Sequence, residues 1–351
     1  RTLGVDELYM RRALQLAANG RGFTSPNPMV GAVITGPDGS IIGEGWHRRC
    51  GGPHAEVNAV RSVADKELLS RSTIYVTLEP CSHYGKTPPC ADMLVENHLR
   101  RVVIGCTDPN EKVSGRGIRR LRDAGIDVTV GVLEEECRDL NRIFMTAHTQ
   151  RRPYVMLKWA CSSDFYLDCE RQPGSPAPRF STARSLQTMH RLRAGFDAIM
   201  AGSSTVINDD PRLDLRLYPG RAPRKVIVDR RHRLGADRRV FSGEAPLYFS
   251  PEPPADANCE WIACGADTGI ADILSELFSR GITSVLVEGG PTLLRSFIAC
   301  GLWDEARIEL SPIALGSRGR HRMEPPQGIT TATREDQNMI INVKNDGPGA
   351  K

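Results

Sequence analysis

Pro53-His54-Ala55-Glu56, followed by Pro80-Cys81-Ser82-His83-Tyr84-Gly85-Lys86-Thr87-Pro88-Pro89-Cys90, is the most informative stretch of the chain. One imidazole (His54) and two thiolates (Cys81, Cys90) form a tripod suited to zinc, and catalytic zinc sites leave a fourth position to water. Bound metal lowers the pKa of that water toward ~7. Glu56 stands two residues beyond His54, so both can enter one pocket from the start of a helix. A carboxylate there can move protons without being a ligand. Each fragment alone is weak, because His and Glu often merely cap a helix and cysteine is often buried filler. Their combination behind a Glu79-Pro80-Cys81 strand-to-helix junction points to chemistry.

Outward from this segment, helix and strand signals alternate. Asp6 is placed to cap a helix carrying Leu8, Tyr9, Leu14, Leu16 and Ala17, which ends at Asn19-Gly20. Met29–Ile34 and Ile41–Trp46 read as a hairpin about Pro37-Asp38-Gly39. Helices are predicted near 55–63, 91–97, 116–124 and 134–144, and strands at 73–77, 102–104 and 128–130. This alternation favours an α/β sheet flanked by helices.

A basic, proline-marked boundary falls near Gln150-Arg151-Arg152-Pro153, giving expected domains of 1–150 and 151–351. The second half restarts with strand Tyr154–Lys158. It continues with a Pro/Gly/Ser-rich loop (Gln172–Pro178), a helix near 183–193, and strands near 198–201, 225–228 and 284–287. The last of these runs through Glu288-Gly289-Gly290-Pro291 into a helix. Such a turn lets backbone N–H groups approach a phosphate at a helix N-terminus. It is not the six-residue dinucleotide fingerprint, so a nucleotide site is open and not established by the turn.

A chain of 351 residues suits two domains with separate cores. Its 46 basic and 42 acidic residues give a formal charge of +4, spread over both halves. Nucleic-acid binding needs clustered excess charge, so small-molecule chemistry is the better reading and no nucleic-acid partner is expected. No apolar run approaches the ~20 residues that span a bilayer, and Arg1–Gly20 has no signal-peptide core. A cytoplasmic protein without a membrane partner is expected, with its ten cysteines mostly free thiols.

His-x-Glu with Pro-Cys and a further Cys is the zinc-deaminase signature, ordinarily with two residues between the cysteines. Here there are eight. That insertion, together with Pro26-Asn27-Pro28-Met29-Val30-Gly31, Gly43-Glu44-Gly45-Trp46-His47, Thr77-Leu78-Glu79 and Thr107-Asp108-Pro109-Asn110, resembles the deaminase half of the bifunctional riboflavin-biosynthesis deaminase/reductase family over residues 6–150. Lys158-Trp159-Ala160-Cys161-Ser162, Leu192-Arg193-Ala194, Gly202-Ser203-Ser204-Thr205-Val206, Asp209-Asp210-Pro211 and Val287 to Leu293 resemble its reductase half over about 153–315. The resemblance implies a cytidine-deaminase-like three-layer domain followed by an α/β domain similar to dihydrofolate reductase. It implies zinc on His54, Cys81 and Cys90, proton transfer by Glu56, and pyrimidine phosphate contacts from Asn27, His47, His83, Lys86, Asp108 and Asn110. In the second domain it implies NADPH at Ala160, Thr205, Asp209 and Gly290, and substrate at Arg193, Leu213, Arg216 and Glu288. A homo-oligomer is also expected.

The family pattern is not matched throughout. Ser162-Ser163-Asp164-Phe165 stands where Ser-Leu-Asp-Gly is expected, Arg179-Phe180-Ser181 replaces a tryptophan-bearing stretch, and Leu213-Asp214-Leu215-Arg216 replaces Leu-Thr-x-Arg. The tail beyond about Glu324 carries no recognised likeness. Two other readings stay open at this level: a nucleic-acid deaminase with an unrelated appendage, which the balanced charge and long cysteine spacing oppose, and a second domain that binds nucleotide or oligomerises without reducing.

Overall fold

Two glycines set how closely helices meet the first sheet. A Cβ on Gly31 would lie 1.9 Å from the Ala13 carbonyl oxygen, and one on Gly45 would lie 2.4 Å from the Ala59 nitrogen. Helix backbone therefore rests directly on strand backbone at both places. The computed structural model describes residues 4–84, 88–110, 114–172 and 175–347. Its internal contacts divide the chain into Arg1–Arg151 and Arg152–Lys351.

In the first unit the elements are α1 (Val5–Ala18), β1 (Gly31–Thr35), β2 (Ile41–Trp46), α2 (Ala55–Ser62), β3 (Thr73–Leu78), α3 (Cys90–Glu96), β4 (Arg101–Cys106), α4 (Arg116–Asp123), β5 (Asp127–Val130), α5 (Glu134–Leu140) and α6 (Arg142–Gln150). The sheet runs β2-β1-β3-β4-β5. β1 is antiparallel to both its neighbours, while β3, β4 and β5 are parallel. One face packs Ala59, Leu94 and Leu121 of α2, α3 and α4 against Ile34, Ile74 and Ile104. The other packs Met10, Ala13 and Leu16 of α1 and Cys137 of α5 against Val33, Tyr75 and Val103. Three layers result, as expected. Both clusters are apolar side chains removed from water, at roughly 1.5–3 kcal/mol for every large aliphatic side chain fully buried.

Two expectations are corrected here. Asp6 does not cap α1, since Gly4 holds that position. The Asp6 carboxylate instead accepts from Arg101 Nη1 and Nη2 at 2.9 and 2.8 Å and from the Tyr75 hydroxyl at 3.2 Å. The helix expected over 134–144 is two helices broken at Asn141. Its buried side-chain amide mimics a strand partner, accepting from Met29 N and donating to Met29 O, each at 2.8 Å.

The second unit holds β6 (Tyr154–Cys161), β7 (Tyr166–Cys169), α7 (Ala183–Arg193), β8 (Ala198–Gly202), α8 (Ser203–Asp209), β9 (Arg224–Val228), β10 (Leu247–Ser250), β11 (Glu260–Ala263), α9 (Ile270–Ser279), β12 (Ser284–Glu288), α10 (Pro291–Cys300), β13 (Glu305–Leu310), β14 (Gly319–Arg322), β15 (Ile329–Glu335) and β16 (Asn338–Lys344). A nine-stranded sheet runs β11-β10-β9-β8-β12-β6-β13-β16-β15, and β14 pairs with β7. From β11 to β13 the strands are parallel; β16 and β15 complete the edge as an antiparallel hairpin. Strands β6, β8, β10 and β12 are buried almost throughout, as a parallel sheet covered on both faces requires, whereas β11 and β15 at the two edges are exposed. Leu274, Leu277, Leu294 and Phe297 cover one face and Val206, Leu234 and Phe241 the other.

The tail beyond Glu324 is thus part of the sheet and not an appendage. The buried Asn338 side chain donates to the Phe180 carbonyl at 2.8 Å and to Glu309 Oε1 at 2.6 Å. Ser181 Oγ donates to the other Glu309 oxygen at 2.7 Å. In this way the tail anchors the Arg179-Phe180-Ser181 segment. Phe165, standing where glycine was expected, takes the left-handed conformation that glycine favours, with φ +67°. No helix among the described residues is long and apolar enough to cross a membrane.

Candidate active sites

His54 sits at the N-cap of α2 with extended backbone, and Glu56 is the second residue of that helix. Cys81 follows β3 after Glu79-Pro80, and Cys90 opens α3. Packing of α2 on Gly45 and of α3 beside it therefore converges three segments. His54 Nδ1 lies 3.6 Å from Cys81 Sγ and 3.3 Å from Cys90 Sγ, and the three donor atoms all fall within 4.8 Å of one another. Bonds of ~2.3 Å to sulfur and ~2.0 Å to nitrogen at a tetrahedral angle put N and S roughly 3.5 Å apart. The donor set fits zinc.

The closeness of these groups also shows in how they shift one another's protonation. The bond to Cys90 holds the Cys81 thiol down to about 4, against burial and with help from His54. Cys90 is pushed up by the same bond and by burial, so the pair carries its negative charge on Cys81. The hydrogen bond to Cys81 raises His54 to about 8 against its desolvation. Glu56 is only 3 % exposed. Burial, then the Cys81 charge, push it up to about 7, with His54 opposing.

His47 and Asn27 stand beside this tripod. The His47 and His54 rings meet edge-to-face at 5.6 Å between centroids. His47 Nδ1 lies 3.0 Å from the Pro53 carbonyl, which can only accept, so Nδ1 carries the proton. Nε2 then accepts from Asn27 Nδ2 at 3.2 Å. Burial holds the His47 pKa below its usual value, consistent with a neutral ring. Asn58 Nδ2 donates to the Trp46 carbonyl at 2.9 Å, tying α2 to the same loop.

The other expected pyrimidine contacts gather less tightly. Asp108 is raised, chiefly by burial, although its Oδ1 accepts from Asn110 N at 2.8 Å; His83 is near enough to oppose that rise. His83 itself is exposed, and Lys86 lies outside the described residues. Sequence reading assigned no role to Glu79. Its buried carboxylate accepts from the backbone N–H groups of Asp108 (3.3 Å), Gly115 (3.0 Å), Gly117 (3.0 Å) and Ile118 (3.3 Å). Glu79 thereby fixes the Asp108 loop and the start of α4 to the strand end that carries Cys81. The signals in the sequence were its position beside Pro80-Cys81 and its place in the Thr77-Leu78-Glu79 segment.

In the second unit the expected cofactor residues collect at the carboxyl ends of the parallel strands, where nucleotides bind in sheets of this kind. A Cβ on Gly290 would meet Thr205 Oγ1 at 3.1 Å, and one on Gly289 would come within 3.7 Å of Gly202 N. The turns after β12 and β8 thus lie against each other, most tightly at Gly290. Gly290 is the N-cap of the ten-residue α10, with Pro291 following. Ala160 lies near the end of β6, and Asp209, ending α8, is bonded to Arg171 at 2.7 Å.

Of the expected substrate residues, Arg193 and Glu288 bond to each other, and Arg193 Nη1 also donates to the Asp214 carbonyl at 2.9 Å. Leu213 is buried in the apolar cluster with Val206 and Ile227. Arg216 is half exposed and pairs with Asp214 at 3.1 Å.

A Cys/Cys/His tripod with a buried carboxylate on a three-layer domain, joined to a parallel sheet with facing glycine turns, defines a two-domain deaminase–reductase. The family description for the cytidine and deoxycytidylate deaminase zinc-binding region matches residues 4–106, and that for the RibD C-terminal domain matches 153–348. The second match runs through the tail, well past the point where sequence likeness was recognised. The riboflavin biosynthesis protein RibD of Aquifex aeolicus is 38% identical over 321 residues, covering 89% of this chain and 88% of that protein. The Escherichia coli RibD is 36% identical, covering 98% and 97% respectively. The solved structure of Acinetobacter baumannii RibD superposes with a TM-score of 0.87 at 33% identity, over 98% of this chain and 99% of that one. A Thermotoga maritima diaminohydroxyphosphoribosylaminopyrimidine deaminase/5-amino-6-(5-phosphoribosylamino)uracil reductase gives 0.87 at 36% identity, over 97% and 99%. This chain belongs to the RibD family, bifunctional deaminase–reductases of riboflavin biosynthesis.

Proposed function

We propose that the first domain hydrolytically deaminates 2,5-diamino-6-(5-phosphoribosylamino)pyrimidin-4-one, and that the second reduces the ribosyl group of the product to ribityl with NADPH. The observation that carries the first half is the buried Glu56 carboxyl beside the His54, Cys81 and Cys90 donor set. Zinc held by those three residues would acidify a water for attack at neutral pH. Glu56 takes the proton from the attacking water and returns it to the departing amine. Neutral His47 orients the Asn27 amide, whose Nδ2 it engages. The Asn27 side-chain oxygen is then turned toward a donor on the pyrimidine edge.

In the second domain, NADPH supplies the hydride. Gly289, Gly290 and Thr205 form its phosphate cradle, and Ala160 and Asp209 border it. Arg193 and Glu288 shape the neighbouring floor of the sugar site, Leu213 supports it from beneath, and the half-exposed Arg216 recognises the substrate phosphate by charge-assisted hydrogen bonding. A homo-oligomer in the cytoplasm is the expected working form.

Incubating the purified protein with the diaminopyrimidine phosphate, with and without NADPH, tests this directly. Mass spectrometry should show an amino group replaced by oxygen without NADPH and two added hydrogens only with it. Deamination without reduction at saturating NADPH would favour a second domain that merely binds nucleotide.

A further inference from the structure

Between α8 and β9 the chain passes through residues 210–223 without a regular element. Asp210 and Leu213 there take left-handed backbone, with φ +39° and +52°, a conformation that residues other than glycine keep only where the surrounding structure imposes it. Leu213 is pinned by its burial against Val206 and Ile227. Just beyond it, the loop meets α7 at two points. Arg193 Nη1 donates to the Asp214 carbonyl at 2.9 Å, and the Arg216 backbone N–H donates to His190 Nδ1 at 3.2 Å. His190 and Arg193 stand one helical turn apart on α7, so both reach the loop from a single helix face.

His190 is 1 % exposed. A backbone N–H only donates, so Nδ1 carries no proton and the ring is the neutral tautomer protonated at Nε2. Burial, then the charges of Arg193 and Arg216, hold its pKa below the usual value, with Glu288 and Asp214 opposing. The ring is thus kept in the state that accepts from Arg216. The Arg216 side chain, by contrast, is half exposed and has Asp214 beside it at 3.1 Å. A long side chain in water keeps its rotamer freedom, so its reach toward a ligand depends on where its backbone is fixed. An apolar residue at position 190 would fill the same space; what the imidazole adds is the acceptor.

We propose that His190 is a positioning residue of the second domain: by accepting from the Arg216 backbone, it sets the Arg216 guanidinium where the substrate phosphate binds. The inference rests on the reading of Arg216 as the phosphate-recognising residue. His190 touches neither substrate nor cofactor and takes no part in hydride transfer. Its whole effect passes through Arg216, and this separates it from a residue that merely packs α7 against the loop.

A double-mutant cycle tests it, using reductase kinetics of the full-length protein on the already deaminated substrate at saturating NADPH. His190→Leu keeps the volume and removes the acceptor; it should raise the substrate KM by about fivefold, the factor expected of one hydrogen bond. Its kcat should stay within about twofold of the parent. His190→Asn places an amide oxygen near the former Nδ1 position and should bring KM back to within about twofold of the parent. In an Arg216→Ala background, His190→Leu should add no further rise. An unchanged KM in His190→Leu, no recovery in His190→Asn, or a double variant whose KM multiplies the two single effects overturns the assignment to His190. An Arg216→Ala protein with the parent's KM overturns the reading of Arg216 itself, and the role of His190 falls with it.

Discussion

Arg193 and Glu288 satisfy each other through two parallel bonds, Nε to Oε1 at 2.8 Å and Nη2 to Oε2 at 2.7 Å, with both side chains nearly buried. Burial alone would raise the Glu288 carboxyl, but the bonds and charge of Arg193 hold it below the usual range. Each residue is the other's neutralising partner, and the pair fastens α7 to the end of β12. Removing one partner of such a pair leaves a buried charge uncompensated and costs roughly 3–5 kcal/mol. Arg193→Met should lower the unfolding midpoint of the second domain accordingly, whereas Arg193→Met with Glu288→Leu should recover much of the loss. A single variant as stable as the parent in calorimetry would refute the pair's structural role.

One zinc per chain is expected in protein purified without chelator. Elemental analysis should give that ratio, with Cys81→Ser, Cys90→Ser and His54→Ala each losing most of it. Cys50→Ser and Cys106→Ser should keep it, because Cys50 is exposed and Cys106 is buried in the other face of the sheet. A metal-free protein with full deaminase activity would reject the tripod.

Glu56→Gln should retain zinc and lose deaminase turnover by roughly 10²–10⁴-fold, the range for a positioned general acid–base. Reductase turnover on already deaminated substrate should be unaffected. Loss of metal together with activity would show that Glu56 holds the site's structure and is not its proton carrier.

The acid limit of the first domain is expected to involve Asp6. Its hydrogen bonds to Arg101, against partial burial, hold its carboxyl below the ordinary range. A carboxylate depressed in the native state stabilises the fold above its unfolded value of ~3.9 and loses that contribution as pH falls through the native value. Asp6→Asn should therefore destabilise by roughly 0.5–1.5 kcal/mol at neutral pH. Denaturation curves of parent and variant should converge as the pH drops below ~3.9. A gap that stayed constant into acid would rule out the ion pair as its source.

Asn338→Ala removes both bonds that the tail makes to Phe180 and Glu309, leaving two buried acceptors short of a donor. At roughly 1–3 kcal/mol for each unsatisfied group, the second domain should lose about 2–6 kcal/mol and the reductase KM for substrate should rise. Deaminase kinetics should not move. An unchanged reductase would mean that the hairpin merely extends the sheet.

How much of this could be read from residues alone depended on distance along the chain. The tripod was legible because His54, Cys81 and Cys90 are diagnostic residue types at a recognisable spacing. The hairpin at Pro37-Asp38-Gly39 and the helix over 183–193 were legible from local pattern. Asn141 was not, because its helix-breaking amide answers Met29, more than a hundred residues earlier. The tail hairpin was hidden for a different reason. β15 is exposed along almost its whole length, so it shows no alternation of apolar and polar residues. Arg193 and Glu288 were found as site residues, but that they would face each other depended on the crossover that sets β12 beside β8.

Glu79 also bears on the order in which the chain assembles. The three ligands lie within a short span of sequence, yet the strand end that presents Cys81 is locked only when amides from Asp108 to Ile118 reach the Glu79 carboxylate. That closure spans 29 to 39 residues, about as many as the 27 and 36 that separate His54 from the two cysteines, so it adds a comparable entropic cost that ligation alone does not cover. A nascent chain that has emerged only as far as Cys90 has every donor atom but not the frame that holds them. Durable metal capture should therefore follow synthesis of α4, and truncations ending before it should exchange zinc freely with a competing chelator.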